Sequence, residues 1–291
     1  MSGNWTVTPA AAGASLAGAQ LRELPRLPST LAMSLARGAL EIRSFFRERD
    51  QVIFTFALPV ILLVIFGQIF RGNIGHTGIS FRQYFAAGIV ATGIMSVTLV
   101  NLGVSIAVER DSGALKRLAG TPMSPAAYFA GKAISALVIA GLEVAVTLTA
   151  GVTLLGLRLP DTAGKWLTLG WVFLLGVVTC SLLGIAASSI PRSAQSASAV
   201  INLPYLVLSF ISGVYFVFSS LPPSLQHIAA AFPLKWMCQG LRSVFLPARA
   251  LAAEPGHSWE LGQVALVLSG WLVISLVLCV RTFRWRQASA R

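Results

Sequence analysis

The sequence predicts an all-α integral membrane protein: six transmembrane helices, an amphipathic elbow helix before the first, and short re-entrant helices after the fifth. Three observations carry this reading. Hydrophobic residues fill 55% of the 291 positions and charged residues only 11%, against about 25% charged in an ordinary soluble domain. Six apolar runs reach the length of about 20 residues that a helix needs to cross a bilayer: residues 52–70, 84–108, 134–155, 166–190, 200–218 and 261–280. The 22 lysines and arginines behind the net charge of +12 sit in short clusters between these runs. That pattern suits lipid headgroups. A nucleic-acid groove would interleave basic residues with exposed aromatics on one face, so no nucleic-acid partner is expected.

The elements follow in order. Residues 1–28 read as a disordered cytoplasmic leader: the Ala-rich stretch Ala10 to Ala19 has no basic segment before it and is too weakly hydrophobic for a signal-peptide core. Over residues 29–50, Leu31, Leu35, Ala39, Ile42 and Phe46 recur at helical spacing, with Arg37, Glu41, Ser44 and Glu48 on another face. This is either an interfacial elbow helix on the inner membrane surface or an ordinary polar juxtamembrane helix. The six-span domain occupies residues 51–285, and 286–291 form a cytoplasmic tail.

With the N-terminus inside, the Lys and Arg count is 15 on the cytoplasmic side against seven outside: Arg71, Arg82, Arg158, Lys165, Lys235, Arg242 and Arg249. The excess places both termini in the cytoplasm. Trp166, Trp259 and Trp285 fall near span ends, where indole rings favour the interface. Small residues four apart (Ala87 with Ala91, Ala136 with Ala140, Gly141 with Ala145, Gly184 with Ser188) let helix backbones approach closely. Pro59 and Pro204 remove helical hydrogen bonds and should bend their spans.

Cys180, Cys238 and Cys279 lack any ligand spacing, and His76, His227 and His257 fall in inter-helix segments far from a nucleophile. Neither disulfide framework, metal site nor catalytic centre is expected. Within the spans the ionisable residue is Glu143, which either meets a cationic substrate or takes part in gating, or else is a hydrogen-bonded packing residue. Asn101 and Asn202 read as interhelical hydrogen-bond partners or translocation-path residues.

Two inter-span segments carry more information. The loop after the second span runs Glu109-Arg110-Asp111-Ser112-Gly113-Ala114-Leu115-Lys116-Arg117-Leu118 and on to Thr121-Pro122, Tyr128 and Gly131-Lys132. A short helix from about Ser112 to Ala119 would set Leu115 and Leu118 on one side with Lys116 and Arg117 beside them, ended by Thr121-Pro122. It reads as a plug for a groove on a partner protein or as a solvated connection. The segment from Ser219 to Glu260 is too interrupted to span and too apolar for water, which fits two short helices broken at Pro233 and dipping into the outer leaflet.

These segments resemble those of the type-2 ABC exporter permeases, which include daunorubicin/doxorubicin-resistance membrane subunits. The matching residues are Glu109-Arg110, Gly113, Leu115, Arg117-Leu118, Thr121-Pro122, Tyr128 and Gly131-Lys132. A second set is Ser212-Gly213-Val214-Tyr215-Phe216, Leu221-Pro222, Phe232-Pro233-Leu234 and Gly240-Leu241-Arg242. The resemblance covers roughly residues 30–285.

It implies a non-enzymatic permease of a bacterial cytoplasmic membrane. A coupling helix with Glu109, Arg110, Gly113, Leu115, Lys116, Arg117 and Leu118 would dock on a separate ABC nucleotide-binding ATPase subunit, and a second permease chain would complete the transporter in membrane lipid. Pro222, Pro233 and Arg242 would belong to the outer re-entrant segment. No GxxxxGK[ST] run occurs in the 291 residues, so ATP and Mg are expected on the partner and no cofactor on this chain.

Short loops and apolar spans lean toward export of a hydrophobic or amphipathic compound such as a drug, antibiotic or lipid. A polysaccharide or glycolipid exporter permease is the alternative within the family. A secondary multidrug transporter would show broken helices at matching places in an internal repeat, and residues 52–155 do not match 166–280 in that way.

Overall fold

The computed structural model describes residues 29–70, 72–74, 78–254 and 257–282. The leader, the tail, Arg71, His76 and Trp285 lie outside the described residues. Eleven α-helices are formed among these: α1 Thr30–Arg47, α2 Arg49–Ile69, α3 Phe81–Met95, α4 Leu102–Asp111, α5 Ala114–Ala119, α6 Pro125–Leu155, α7 Ala163–Ala187, α8 Ala194–Ile211, α9 Pro223–Ala230, α10 Pro233–Phe245 and α11 Leu261–Thr282. Six are long and apolar enough to cross a membrane: α2, α3 continued by α4, α6, α7, α8 and α11.

The span α3–α4 is the centre of the bundle. It packs on α2, α6, α7, α8 and α10, and 78% of its apolar stretch is buried against 17% for α2 and for α11. Outer helices therefore turn apolar side chains outward, among them Phe54, Leu58 and Ile69 on α2, Leu203 on α8 and Leu266 and Val280 on α11. Midway, residues Ser96–Asn101 widen into a π-helix. The extra residue per turn pushes the Thr98 and Leu99 carbonyls toward α7, and Gly184 receives them: a Cβ there would lie 2.6 Å from the Thr98 oxygen. Of the small pairs, Ala87 with Ala91, Ala136 with Ala140 and Gly184 with Ser188 are buried, whereas Ala145 is exposed.

Helix ends differ from the expected ones where capping decides. The third span begins at Pro125, nine residues before the apolar run, because Ser124 accepts from the Ala127 amide and proline occupies the first turn. Charged and aromatic residues of that first stretch are buried rather than looped. The fifth span runs Ala194–Ile211 instead of 200–218: a capping box between Ser193 and Ser196 starts it, and Gly213 at φ 75° turns the chain just after it ends. Pro59 and Pro204 both lie inside continuous helices.

Helix α1 crosses α6 at backbone distance. A Cβ on Gly131 would lie 2.7 Å from Arg37 Cβ, and one on Gly38 would lie 3.2 Å from the Gly131 carbonyl. Arg37 and Glu41 face this crossing, while Leu31, Leu35 and Phe46 are exposed on the other side. The apolar stripe read from the sequence is thus the outward face.

At the opposite end α10 is part of the core. All 13 of its residues are buried, whereas α9 is largely exposed, with Ile228 at 50%. Pro223 and Pro233 open the two helices, separated by the turn at Ala231 and Phe232.

Gly184→Ala should destabilise the bundle by about 1–3 kcal/mol, since backbone and not a flexible side chain occupies the space. Gly170→Ala, which meets nothing within 4 Å, is the control. A thermal midpoint for Gly184→Ala in detergent as high as that of the control would contradict the close contact.

Candidate functional site

The residues singled out in the loop after α4 divide into two groups. Glu109, Arg110 and Asp111 end α4 and hold three neighbours. The Glu109 carboxylate receives the Lys132 ammonium at 2.5 Å, the Arg37 guanidinium at 3.2 Å and the Tyr128 hydroxyl at 2.7 Å. Arg110 donates to the carbonyls of Ser188 at 2.8 Å and Pro191 at 2.5 Å, just beyond α7. Asp111 accepts the Ala194 amide at 3.0 Å, at the first residue of α8. Three consecutive charges therefore fasten the ends of α6, α7 and α8 to α4.

Lys132 also binds Glu41 at 2.8 Å and Ser105 Oγ at 2.9 Å, and Arg37 pairs with Glu41 one turn along α1. Both cations sit over the Tyr128 ring, at 5.1 and 5.9 Å. Two cations and two carboxylates balance, and Lys132 is only 1% exposed. Local charge balance is what lets this cluster lie at the junction of three helices.

The second group begins at Gly113, whose φ of 73° reverses the chain into α5. Only glycine takes that conformation without strain. Helix α5 is shorter than expected, starting at Ala114, and Leu115 is buried within this chain at 7% exposure. It anchors α5 and is not free to plug a partner's groove. Lys116 and Arg117 are exposed and Leu118 is half-buried.

Beside the charge cluster a cavity of about 490 Å³ opens between α1, α4, α6 and α8. Its lining combines polar residues, Glu41, Glu48 and Lys132 among them, with apolar ones such as Phe45, Val100 and Ile139. Asn101 and Asn202 both line it, their amides donating to Thr55 Oγ1 at 3.3 Å and to the Ser198 carbonyl at 2.9 Å. Two distant asparagines thus meet at one cavity. Glu143 does not. Its carboxylate is buried in a notch left by Gly93 of α3 and accepts the Thr147 hydroxyl at 3.0 Å. Its other oxygen, Oε2, is buried without a partner among the described residues.

At the other end Arg242 is fully buried, paired with Glu254 at 3.3 Å, donating to the Gly213 carbonyl and lying 4.1 Å over the Tyr84 ring. Tyr84 in turn accepts the Phe218 amide at 3.0 Å. Gly213 cannot be replaced simply, because a Cβ would meet Arg242 at 2.8 Å and Phe218 at 2.9 Å. Lys235 neighbours Gln239, with Glu260 at 3.8 Å, and burial pushes its ammonium down to about 8. Pro222 precedes α9 and Pro233 begins α10 without entering this cluster.

Among the described residues no group of His, Cys, Asp and Glu could hold a metal ion. The geometry is that of a helical bundle with fastened ends and a cavity. The profile of the ABC-2 type transporter family matches residues 36–246.

This chain belongs to the ABC-2 type transporter family. It is a transmembrane transport permease, and the family's members are non-enzymatic membrane subunits. Among its relatives the Escherichia coli inner membrane transport permease YadH is 25% identical over 213 residues, 72% of this chain and 80% of that protein. The putative transport permease YvfS of Bacillus subtilis is 20% identical over 66% of this chain and 77% of its own length. The probable multidrug ABC transporter permease YbhR of Escherichia coli is 24% identical over 60% of this chain and 46% of its own. The family match takes in α1 from Ala36 onward, the Glu109 cluster and α10 with Arg242.

The sequence reading missed Arg37 as a partner of Glu109, Glu41 as a partner of Arg37 and Lys132, and Glu254 as the partner of Arg242. Charged residues on α1 at helical spacing were the available signal for the first two. Lys132→Met should cost about 3–5 kcal/mol, because it leaves two largely buried carboxylates sharing the single cation Arg37. Adding Glu109→Gln should restore part of that loss. Chemical unfolding of the detergent-solubilised chain measures both, and additive losses would refute the coupling.

Proposed function

We propose that this permease is the membrane subunit of an ATP-driven exporter of the bacterial cytoplasmic membrane, paired with a second permease chain and powered by a separate ATPase. The observation that carries the reading is α5. It projects exposed Lys116 and Arg117 from a base held by buried Leu115, the Gly113 reversal and the fastened end of α4. A rigid basic knob of this kind can transmit force from a docked ATPase into the spans.

In this reading both termini are cytoplasmic, α1 lies along the inner surface with Leu31, Leu35 and Phe46 toward lipid, and α9 and α10 form the outer re-entrant segment. The cavity beside α1 would admit substrate from the inner leaflet. Its mixed apolar and polar lining favours hydrophobic or amphipathic molecules, in keeping with the multidrug name of the YbhR relative. Glycan export has no comparable support, as the interior lacks a track of aromatic residues.

Lys116→Glu with Arg117→Glu should leave the chain inserted while abolishing substrate-stimulated ATP hydrolysis by the reconstituted complex. Stimulation equal to wild type would end the coupling role of α5. Asn202→Phe should narrow the cavity and lower vesicle uptake of a hydrophobic substrate, whereas Glu143→Gln should leave uptake unchanged. Uptake by Asn202→Phe equal to wild type would remove the cavity from the path.

A further inference from the structure

The positive charges assigned to the outer side run against the usual distribution around a membrane. Of the seven, Arg71 lies outside the described residues, and Lys235 and Arg242 face Glu260 and Glu254 in the buried cluster. The remaining four come from separate parts of the chain. Arg82 is in the first turn of α3, Arg158 follows α6, Lys165 is in the first turn of α7, and Arg249 lies in the 3-10 turn Ala248–Ala253 after α10. All four line one cavity of about 350 Å³.

Two further features make it an anion site. The one carboxylate in its wall, Asp161, is bound by Lys165 at 2.9 Å, so the charge balance stays strongly positive. Helices α3 and α7 both begin at its edge, with caps at Ser80 and Thr162, and the positive ends of their dipoles add to the cations. The mostly polar lining also includes Leu155 and Leu157 of the core and the exposed Leu159. Trp166, half-exposed and next to Lys165, donates to the Pro160 carbonyl at 3.1 Å, an environment that suits a membrane interface.

We propose that this cavity binds the phosphate headgroup of an anionic phospholipid from the outer leaflet, its glycerol and upper acyl chain resting on Leu159. The leaflet assignment rests on the orientation in the exporter reading, but the binding itself does not. The exposed Leu159 in the lining and Trp166 beside Lys165 favour a lipid over free phosphate.

The test is lipid retention by the purified full chain, read by native mass spectrometry after exchange into detergent with phosphatidylglycerol or phosphatidylcholine. Wild type should retain phosphatidylglycerol selectively. Arg158→Gln with Arg249→Gln should lower that retention about tenfold or more. Arg249→Gln alone, at an exposed side chain, should give a smaller fall and covers the case where the double variant misfolds. Arg192→Gln, at the opposite end, should retain the lipid as wild type does. Equal retention by the double variant, an equal loss in Arg192→Gln, or no preference for phosphatidylglycerol would each overturn the proposal. So would inorganic phosphate displacing bound lipid no better than chloride while thermal stabilisation by phosphate alone survives in Arg158→Gln with Arg249→Gln. No ATPase or transport enters the measurement, so its outcome is separate from that of the exporter reading.

Discussion

The placement of the Lys132 ammonium between Glu41 and Glu109 is the contact on which much of this fold depends. A buried ion pair contributes little net stability, because desolvation offsets most of the Coulomb attraction, but it penalises every arrangement that separates the partners. Here the three residues come from α6, α1 and α4. Once they meet, α1 must lie across α6 at Gly38 and Gly131, and α4 must end beside both. The wall of the larger cavity and the exit direction of the chain into α5 follow from that junction.

The far end of the bundle repeats the device with different parts. Arg242 joins α10, the 3-10 turn leading to Glu254, the Gly213 loop and Tyr84 of α3. Each end is thus closed by a locally neutral set of buried charges, and the helices between them need only small residues and apolar side chains to pack. Without a hydrophobic drive between helices in lipid, close backbone approach supplies the attraction. That is why Gly184 and Gly131 fall where a neighbouring helix comes too close for a Cβ, whereas at Gly93 the Glu143 carboxylate takes the space.

Function attaches to what these junctions leave exposed. Lys116 and Arg117 project from a short helix whose base cannot swing freely, as the proposed docking of an ATPase would require. The cavity beside α1 brings polar and apolar side chains from separate helices to one space. Glu143, by contrast, is the ionisable residue that insertion energetics made conspicuous, yet it fills a notch between two helices of its own chain. Cost of burial alone marks a residue as constrained and does not say by what.

Hydropathy, a local quantity, was enough to place the six spans, and local turn chemistry marked the break at Pro233 and the end of a short helix before Thr121-Pro122, while its start after Gly113 rather than at Ser112 came from the backbone. Charge counts along the chain gave an orientation, and the motif around Glu109 pointed to the family. Beyond this the sequence could not go, for a physical reason: Lys132 and Glu41 are 91 positions apart, and no periodicity links them. Span ends such as that at Pro125 moved because capping hydrogen bonds and charge neutralisation, not apolarity, set them. Burial of α10, the meeting of Asn101 with Asn202 at one cavity, and the convergence of Arg82, Arg158, Lys165 and Arg249 were decided by tertiary packing alone, which brings together residues whose own neighbours in the chain say nothing of each other.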